Sequence, residues 1–375
     1  MYKTYKFRIY PTEEQKEFFE VCFNGCRLVY NKLLEYHKEI YDTTGKTLSR
    51  YDYQKYCTSH LKKIYPWLYN IPSNSLQQVA LHLHVAFKKF FAGYAGYPKF
   101  KSSKESKKSF TYDVSQIRNV LFEDSSCIFV SKLGLVKTVF HRKVKGEPRI
   151  ITISKTGSNK YFASVLSKEE YIPINNNSSS IGISLGIYNI VSTSNGEFYG
   201  NLCINEKNER KVALLQQALN LKVENSNNYE KQKIKLARCH ERAANQRKEY
   251  IHRLSHNIVS NYGTIYLFMP KIERYISSKS DLSKKILDAS MFEIFRQIAY
   301  KCSWNNRTLY RFTEDDINFV VCPFCGTTGE ITDYFVSEYK CSCCNKHSNM
   351  GTNLAKSVLL YASSNKEVLK ERLQT

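Results

Sequence analysis

Ile181-Gly182-Ile183-Ser184-Leu185-Gly186-Ile187 combines β-branched residues with two glycines, the pattern of a buried strand running into a tight turn. A second apolar run, Ile190 to Thr193, leads to Asn195-Gly196, a pair favoured in two-residue hairpins. Beyond this hairpin, a basic helical stretch covers about Glu206 to Tyr262 and breaks near Asn225-Ser226-Asn227-Asn228. A strand is expected at Thr264–Phe268, then helix from about Ser283 to Ser303. Strand, hairpin, helix, strand, helix predicts a sheet covered by helices, with Ser184 closing its first strand.

The N-terminal half reads differently. Tyr5, Phe7 and Ile9 alternate with Lys6 and Arg8, so residues 3–9 form a strand. Pro11-Thr12-Glu13-Glu14 opens a helix with Thr12 as N-cap, and helical patterning continues with breaks at Pro66 and Pro72 to about Phe91. The basic stretch Tyr97 to Lys104 follows, then short strands from about Ser109 to Ser167, among them Asn119–Phe122, Ile128–Val130, Ile150–Ser154 and Tyr161–Val165. These predict a small β-barrel completed by the N-terminal strand, with the helices inserted into it. Asn175 to Ser180 is a polar linker, and Ser364 to Thr375 a charged, solvated helix. The whole is an α+β multidomain chain without internal repeats.

Among 375 residues, Lys and Arg exceed Asp and Glu by 22, which calls for a polyanionic partner. The 28 tyrosines and 21 phenylalanines suit base stacking, although an AT-rich coding bias inflates Lys, Asn, Tyr and Ile together. No apolar run approaches the roughly 18–20 residues needed to cross a bilayer, and the N-terminus lacks a signal-peptide pattern. We therefore expect a cytoplasmic protein, associated with the bacterial nucleoid, with neither a membrane partner nor a small-molecule substrate. Cytosolic cysteines are not read as disulfides. Five of the twelve cluster as Cys322-Pro323-Phe324-Cys325 and Cys341-Ser342-Cys343-Cys344. Two Cys-x-x-Cys knuckles predict one structural zinc on Cys322, Cys325, Cys341 and Cys344, with Cys343 a possible substitute for a neighbour and a redox pair the competing reading. His347 reads as a surface residue.

The chain resembles TnpB, the transposon-encoded RNA-guided nuclease related to type V CRISPR effectors. The resemblance rests on Tyr5 to Thr12 with Gln15, Cys26 to Asn31, Ala86 to Phe91, Tyr97 to Lys101, Ile181 to Ile187, Asn245 to Lys248 with His252, Leu254 and Ser255, the two knuckles, and Asn353 to Ala355. It implies a wedge β-barrel (1–10 and 98–174), an inserted helical recognition region (11–97), an RNase H-like RuvC domain (175–318 and 349–375) and an inserted zinc ribbon (319–348). It also implies a guide RNA, a double-stranded DNA target read as an RNA–DNA heteroduplex, and a short flanking DNA motif read by the N-terminal half.

The resemblance further implies an Asp, Glu, Asp set for two-metal cleavage, since magnesium needs charged oxygen ligands. The first position is Ser184. The Glu falls on Phe268, or on Met269 if the register slips by one, and the last Asp becomes Gly351. Glu197, Glu273, Asp281, Asp288, Glu293, Asp315 and Asp316 lie near in sequence, but no motif spacing gathers them. No catalytic magnesium is expected, and the chain is most like the TnpB-like nuclease-dead repressors, which occupy a guided target. The alternatives are a guided endonuclease with displaced acids, a decayed transposon protein, or an RNA-only regulator of its transposon.

By the same resemblance, Gln77, Gln78, Lys88, Tyr53, Ser109 and Thr111 are candidates for reading the flanking motif, Gln because it pairs with adenine. Backbone contacts are expected from Lys6, Arg8, Arg27, Lys99, Lys101, Lys231, Lys235, Arg238, Arg242, Arg247, Lys248 and Arg253.

Overall fold

The computed structural model describes every residue except 104–106, 116, 118–119, 171–172, 174–178, 277–279, 332 and 366–375. Lys104, Asn119, most of the Asn175–Ser180 linker and the C-terminal tail therefore lie outside the described residues. The chain forms two compact units, Met1–Glu170 and Tyr171–Thr375.

The first unit opens with β1 (Tyr2–Ile9), whose inward residues Tyr5, Phe7 and Ile9 are buried. Helix α1 (Glu13–Thr44) starts at a reciprocal capping box between Thr12 and Gln15 and ends where Gly45 turns left-handed at φ +66°. Next come α2 (Arg50–Tyr56), a π-helical turn Cys57–Leu61, α3 (Lys62–Ile64), a 3-10 turn Pro66–Asn70 and α4 (Ser73–Phe91). The remaining elements are β2 (Lys108–Asp113), β3 (Leu121–Phe122), β4 (Cys127–Val130), β5 (Gly134–Val139), β6 (Glu147–Lys155) and β7 (Tyr161–Lys168). The seven strands form an antiparallel half-barrel sheet in the order β2-β6-β7-β1-β5-β4-β3. Its core joins sheet and helices: Phe19 of α1 packs on Phe110 of β2 and Tyr161 of β7, with ring centroids 5.8 and 5.9 Å apart.

The second unit contains β8 (Ser180–Ser184), β9 (Asn189–Thr193), β10 (Phe198–Gly200), α5 (Ile204–Asn220), α6 (Asn227–Asn261), β11 (Thr264–Phe268), α7 (Asp281–Ala289), α8 (Met291–Trp304) and β12 (Thr308–Phe312). It continues through β13 (Phe319–Val321), β14 (Thr328–Glu330), β15 (Glu338–Lys340) and β16 (His347–Asn349) to α9 (Met350–Ser364). The main sheet runs β10-β9-β8-β11-β12. Strands β9 and β10 are antiparallel to their neighbours, while β8, β11 and β12 are parallel.

Alternation along the central strands divides two cores. Ile181, Ile183 and Leu267 face one side with Leu254 and Ile258 of α6 and Ile294 and Ile298 of α8. Phe268 and Phe312 belong to the other, with Leu354 and Val358 of α9. Helices α6 and α8 are joined by Lys301, whose buried ammonium donates to the His252 carbonyl at 2.8 Å and to Ser255 Oγ at 2.7 Å. The single helical region expected over 283–303 is two helices, because Ser290 adopts φ +53° and breaks it.

Gly182 sits where α9 crosses β8, and a Cβ there would overlap the Ala355 carbonyl. The obstruction is backbone, so side-chain rotation cannot relieve it. Gly182→Ala is expected to lose about 1–3 kcal/mol of stability, read as a lower denaturation midpoint in urea or on heating of the full chain.

Candidate functional site

The parallel pairing of β8 with β11 sets Ser184 beside Phe268 at the carboxyl end of both strands. Loops beyond that edge are where open α/β sheets place their ligands. In the antiparallel ladder Ser184 also pairs with Ser192 of β9. Helix α9 brings Gly351 to the same place: a Cβ on Gly351 would lie 2.5 Å from Ser192 Oγ and 3.0 Å from Ser192 Cβ. Ser184, Phe268 and Gly351, which are 84 and 83 residues apart in sequence, therefore converge. The register also separates Phe268 from Met269. Phe268 faces α9 as part of one core, and Met269 belongs to the core on the opposite side.

The converged positions are packed. Phe268 is fully buried and stacks on Tyr334 at 5.4 Å with planes 20° apart. Ser184 and Ser192 are also buried. The cavity left beside them is about 30 Å³ and is lined by Ser184, Ser192, Tyr334, Asn349 and Gly351 among other residues, none of them acidic. Asn349, whose Oδ1 would lie 3.3 Å from a Cβ on Gly351, spends that oxygen on the Thr352 N–H at 2.9 Å, capping α9. A magnesium ion would meet hydroxyls, an amide and an aromatic ring here, a donor set without the negative charge it requires.

Five of the seven neighbouring acids have other partners. Asp288 accepts from Arg247 at 2.5 Å, and Glu293 from Arg296 and Gln297. Asp315 is engaged by Lys271 and Arg274, Asp316 caps the Thr313 N–H at 2.9 Å, and Asp281 pairs with Lys284. Among the described residues, the one group of three or more His, Cys, Asp or Glu ligand atoms close enough to hold a metal is Cys322, Cys325, Cys341 and Cys344. Their ligand atoms all lie within 4.8 Å of one another, with Cys322 Sγ–Cys344 Sγ at 3.7 Å and Cys325 Sγ–Cys341 Sγ at 3.6 Å. The edges of a tetrahedral tetrathiolate site with bonds of about 2.3 Å are roughly 3.8 Å long, so the cage fits a metal. Hydrogen bonds from Thr327 pull the Cys325 thiol down to about 6 and backbone N–H groups around Cys344 lower Cys341, while burial and the crowded sulfurs push Cys344 up to about 12, the repulsion that a bound cation would relieve. Cys343 is exposed and outside the group.

In the first unit, α1, α4 and β2 enclose a polar cleft of about 380 Å³ lined by Arg27, Ser75, Gln78, His82, Lys101, Ser109 and Thr111, among others. The expected motif-reading residues separate here. Gln78, Ser109 and Thr111 line the cleft, whereas Gln77 is exposed on another part of α4 and Lys88 is exposed three turns further along it. Tyr53 is a correction: it is fully buried, and its hydroxyl is taken by Nδ1 of the buried His37. It is a core residue and offers no face to a base. Ser75 Oγ is buried without a hydrogen-bond partner in the protein, a donor–acceptor in need of a ligand or water. His82 is exposed at the rim of the cleft, yet partial desolvation of its ring, with the Lys101 ammonium nearby, holds it below the usual imidazole range, so it is neutral at pH 7 and offers one donor and one acceptor.

The expected backbone contacts also separate. Lys231, Lys235, Arg238 and Arg242 are exposed at three- and four-residue intervals along α6, forming one stripe. Lys248 is exposed, and Arg253 is exposed but paired with Glu249 at 3.2 Å. Arg247 departs from the expectation. It bonds Asp288 and Asn205 and thereby ties α6 to the start of α5 and the end of α7. Lys6 lies over the Phe162 ring, and Arg8 over Tyr10 and Phe162. Arg27 is half-buried near Asn24, Lys99 is exposed, and Lys101 places its ammonium 3.9 Å from the Tyr30 ring centroid. Sequence reasoning missed Ser192 and Tyr334 in the strand-end cleft and Ser75 and His82 in the other, because tertiary packing alone brings them there.

Residues 1–46 match a family model described as a helix-turn-helix domain, and residues 164–269 one described as a probable transposase, both of the IS605 OrfB type. The first span is here one strand and one long helix. The chain is 27% identical over 372 residues to the putative RNA-guided DNA endonuclease InsQ of Escherichia coli (strain K12), covering 95% of this chain and 91% of that protein. The chain is a member of the TnpB family. This TnpB-family chain is also 28% identical over 369 residues to a putative RNA-guided DNA endonuclease of Streptomyces pristinaespiralis, covering 95% and 88%. Its fold is similar to that of Cas12f1 in a complex with sgRNA and target DNA, with a TM-score of 0.55 at 13% identity over 96% of this chain and 98% of that one.

Placing a carboxylate at position 268 removes a packed ring and buries a charge with no cation beside it. Phe268→Glu is expected to cost about 3–5 kcal/mol, and millimolar magnesium should not raise its melting temperature.

Proposed function

We propose that this chain is an RNA-guided, sequence-specific DNA-binding protein that does not cut its target and represses transcription by occupying it. One observation carries the reading: among the described residues, no carboxylate lines the strand-end cleft where Ser184, Phe268 and Gly351 meet, and Phe268 is packed on Tyr334 beside it. The sheet order β10-β9-β8-β11-β12, with two antiparallel and three parallel strands, supports assigning this unit to the RNase H-like RuvC class. The endonuclease names of its relatives support guide RNA and DNA as its partners. A displaced-acid nuclease is less well supported, since Asp281, Asp288, Glu293, Asp315 and Asp316 are each engaged elsewhere. A decayed protein is less well supported too, because its four-cysteine cage and basic stripe are intact.

In this reading the guide finds its complement by base pairing, and protein side chains read a short flanking motif on the duplex. The cleft of Gln78, Ser109, Thr111 and His82 is the candidate reader, because it gathers neutral donors and acceptors beside the cations Arg27 and Lys101. The α6 stripe supplies phosphate neutralisation, which adds affinity without sequence information. The four cysteines hold one structural zinc, since thiolates and a closed tetrahedral shell suit that ion and leave no position for substrate.

Purified protein should carry a discrete RNA. With that RNA it should retain a matched duplex at least about tenfold more tightly than a scrambled one, and leave both uncut in magnesium or manganese. Guide-dependent cleavage returns the chain to the endonucleases, and absence of a discrete RNA removes the guided reading altogether. Metal analysis should give one zinc per chain, retained in Cys343→Ser and lost in Cys341→Ser, the latter with lower thermal stability. Equal zinc loss in both variants would count against the assigned four-ligand set.

A further inference from the structure

The segment Lys88-Lys89-Phe90-Phe91-Ala92-Gly93-Tyr94-Ala95-Gly96-Tyr97-Pro98-Lys99-Phe100-Lys101 carries four lysines, five aromatic residues and no acid. Its rings differ in environment, with Tyr97, itself 46% exposed, between the extremes. Phe87, just before it, is buried against His37 at 3.7 Å, and Tyr97 meets Phe87 and Phe90 edge-on at 5.6 and 5.3 Å. Phe91, Tyr94 and Phe100 instead remain 53%, 85% and 61% exposed. The core of this unit is thus closed without them.

The exposed rings stand on an anchored frame. Gly93 turns left-handed at φ +74° and its N–H bonds the Phe90 carbonyl, while the Tyr94 N–H bonds the Lys89 carbonyl. These contacts end α4 and fix the start of the turn. At the other end, Asn31 of α1 grips Lys101 twice, accepting from its N–H at 2.8 Å and donating to its carbonyl at 3.0 Å. Pro98 is buried between the two fixed points. Tyr94 and Phe100 are therefore displayed by a braced loop, with Lys88, Lys89 and Lys99 exposed along it. Asp42 lies near Tyr97.

We propose that this loop is a stacking platform for unpaired nucleotides of the bound RNA, with Tyr94 and Phe100 taking bases and Lys88, Lys89 and Lys99 the intervening phosphates. Stacking on aromatic faces among cations is how proteins hold single strands irrespective of sequence. A duplex buries its base faces in its own stack and cannot use exposed rings this way. The choice of RNA rests on the guided reading above: RNA is the polynucleotide that stays bound between encounters with DNA, and so the one available to cover exposed rings throughout. A protein partner would have to bring acids to match the lysines, whereas a nucleotide strand brings a phosphate beside every base.

The test uses the full-length chain freed of RNA, with a 12-nucleotide oligouridine RNA and a blunt 12-base-pair RNA duplex as probes. Tyr94→Ala with Phe100→Ala should weaken the single strand at least tenfold and the duplex less than twofold, whereas Tyr94→Phe with Phe100→Tyr should restore single-strand binding. Equal losses on both probes, or no loss on either, overturn the platform. So does a wild-type dimer in light scattering that the alanine pair converts to monomer, since the rings would then serve a second copy. If the protein isolated from its host holds no discrete RNA, guided binding fails, but a single-strand preference that depends on Tyr94 and Phe100 still stands.

Discussion

The approach of α9 to β8 through Gly182 is the contact on which the second unit depends. Helix and strand can touch only because residue 182 has no side chain to meet the Ala355 carbonyl. That contact fixes how far α9 slides along the sheet, and so where its first turn lands. Gly351 falls against Ser192, Asn349 caps the helix from the last strand of the cysteine-bearing hairpins, and Leu354 and Val358 close the core that contains Phe268. Strand pairing then aligns Ser184 with Phe268. Three separate pieces of chain meet at one strand edge as a consequence of a single close approach.

Much of this was legible in the chain. The strand and hairpin around Ser184 follow from β-branched alternation and an Asn-Gly turn, and the paired Cys-x-x-Cys spacing leads to the sulfur cage, because local chemistry dictates both. The interruption between α5 and α6 likewise follows from a run of asparagine and serine. Less legible was whatever depends on contacts distant in sequence. Phe268 and Met269 are adjacent apolar residues, and only pairing with β8 assigns them to opposite faces. Tyr53 looks polar and aromatic in sequence, yet α1 brings His37 to its hydroxyl and α4 closes over it. Arg247 sits in a basic helix, and Asp288, 41 residues away, converts it from a surface charge into a brace. The kink at Ser290 carries no glycine or proline to announce it.

The two units use polar residues differently. In the first, a cleft of 380 Å³ keeps Gln78 and Ser75 turned inward beside cations, and Ser75 Oγ has no partner in the protein. Such groups cost stability unless something satisfies them. In the second unit the corresponding space at the strand edge is about 30 Å³, roughly room for one water molecule. The first is built to receive, and the second is nearly closed.

That closure bears on what the cleft can become. A carboxylate at 268 would enter an apolar core, one at 184 would stand alone beside buried serine, and one at 351 would collide with Ser192. Each step toward a metal site is a loss of stability before three such changes could act together. Packing therefore opposes a charged cleft here, because each single carboxylate costs stability before any partner could join it.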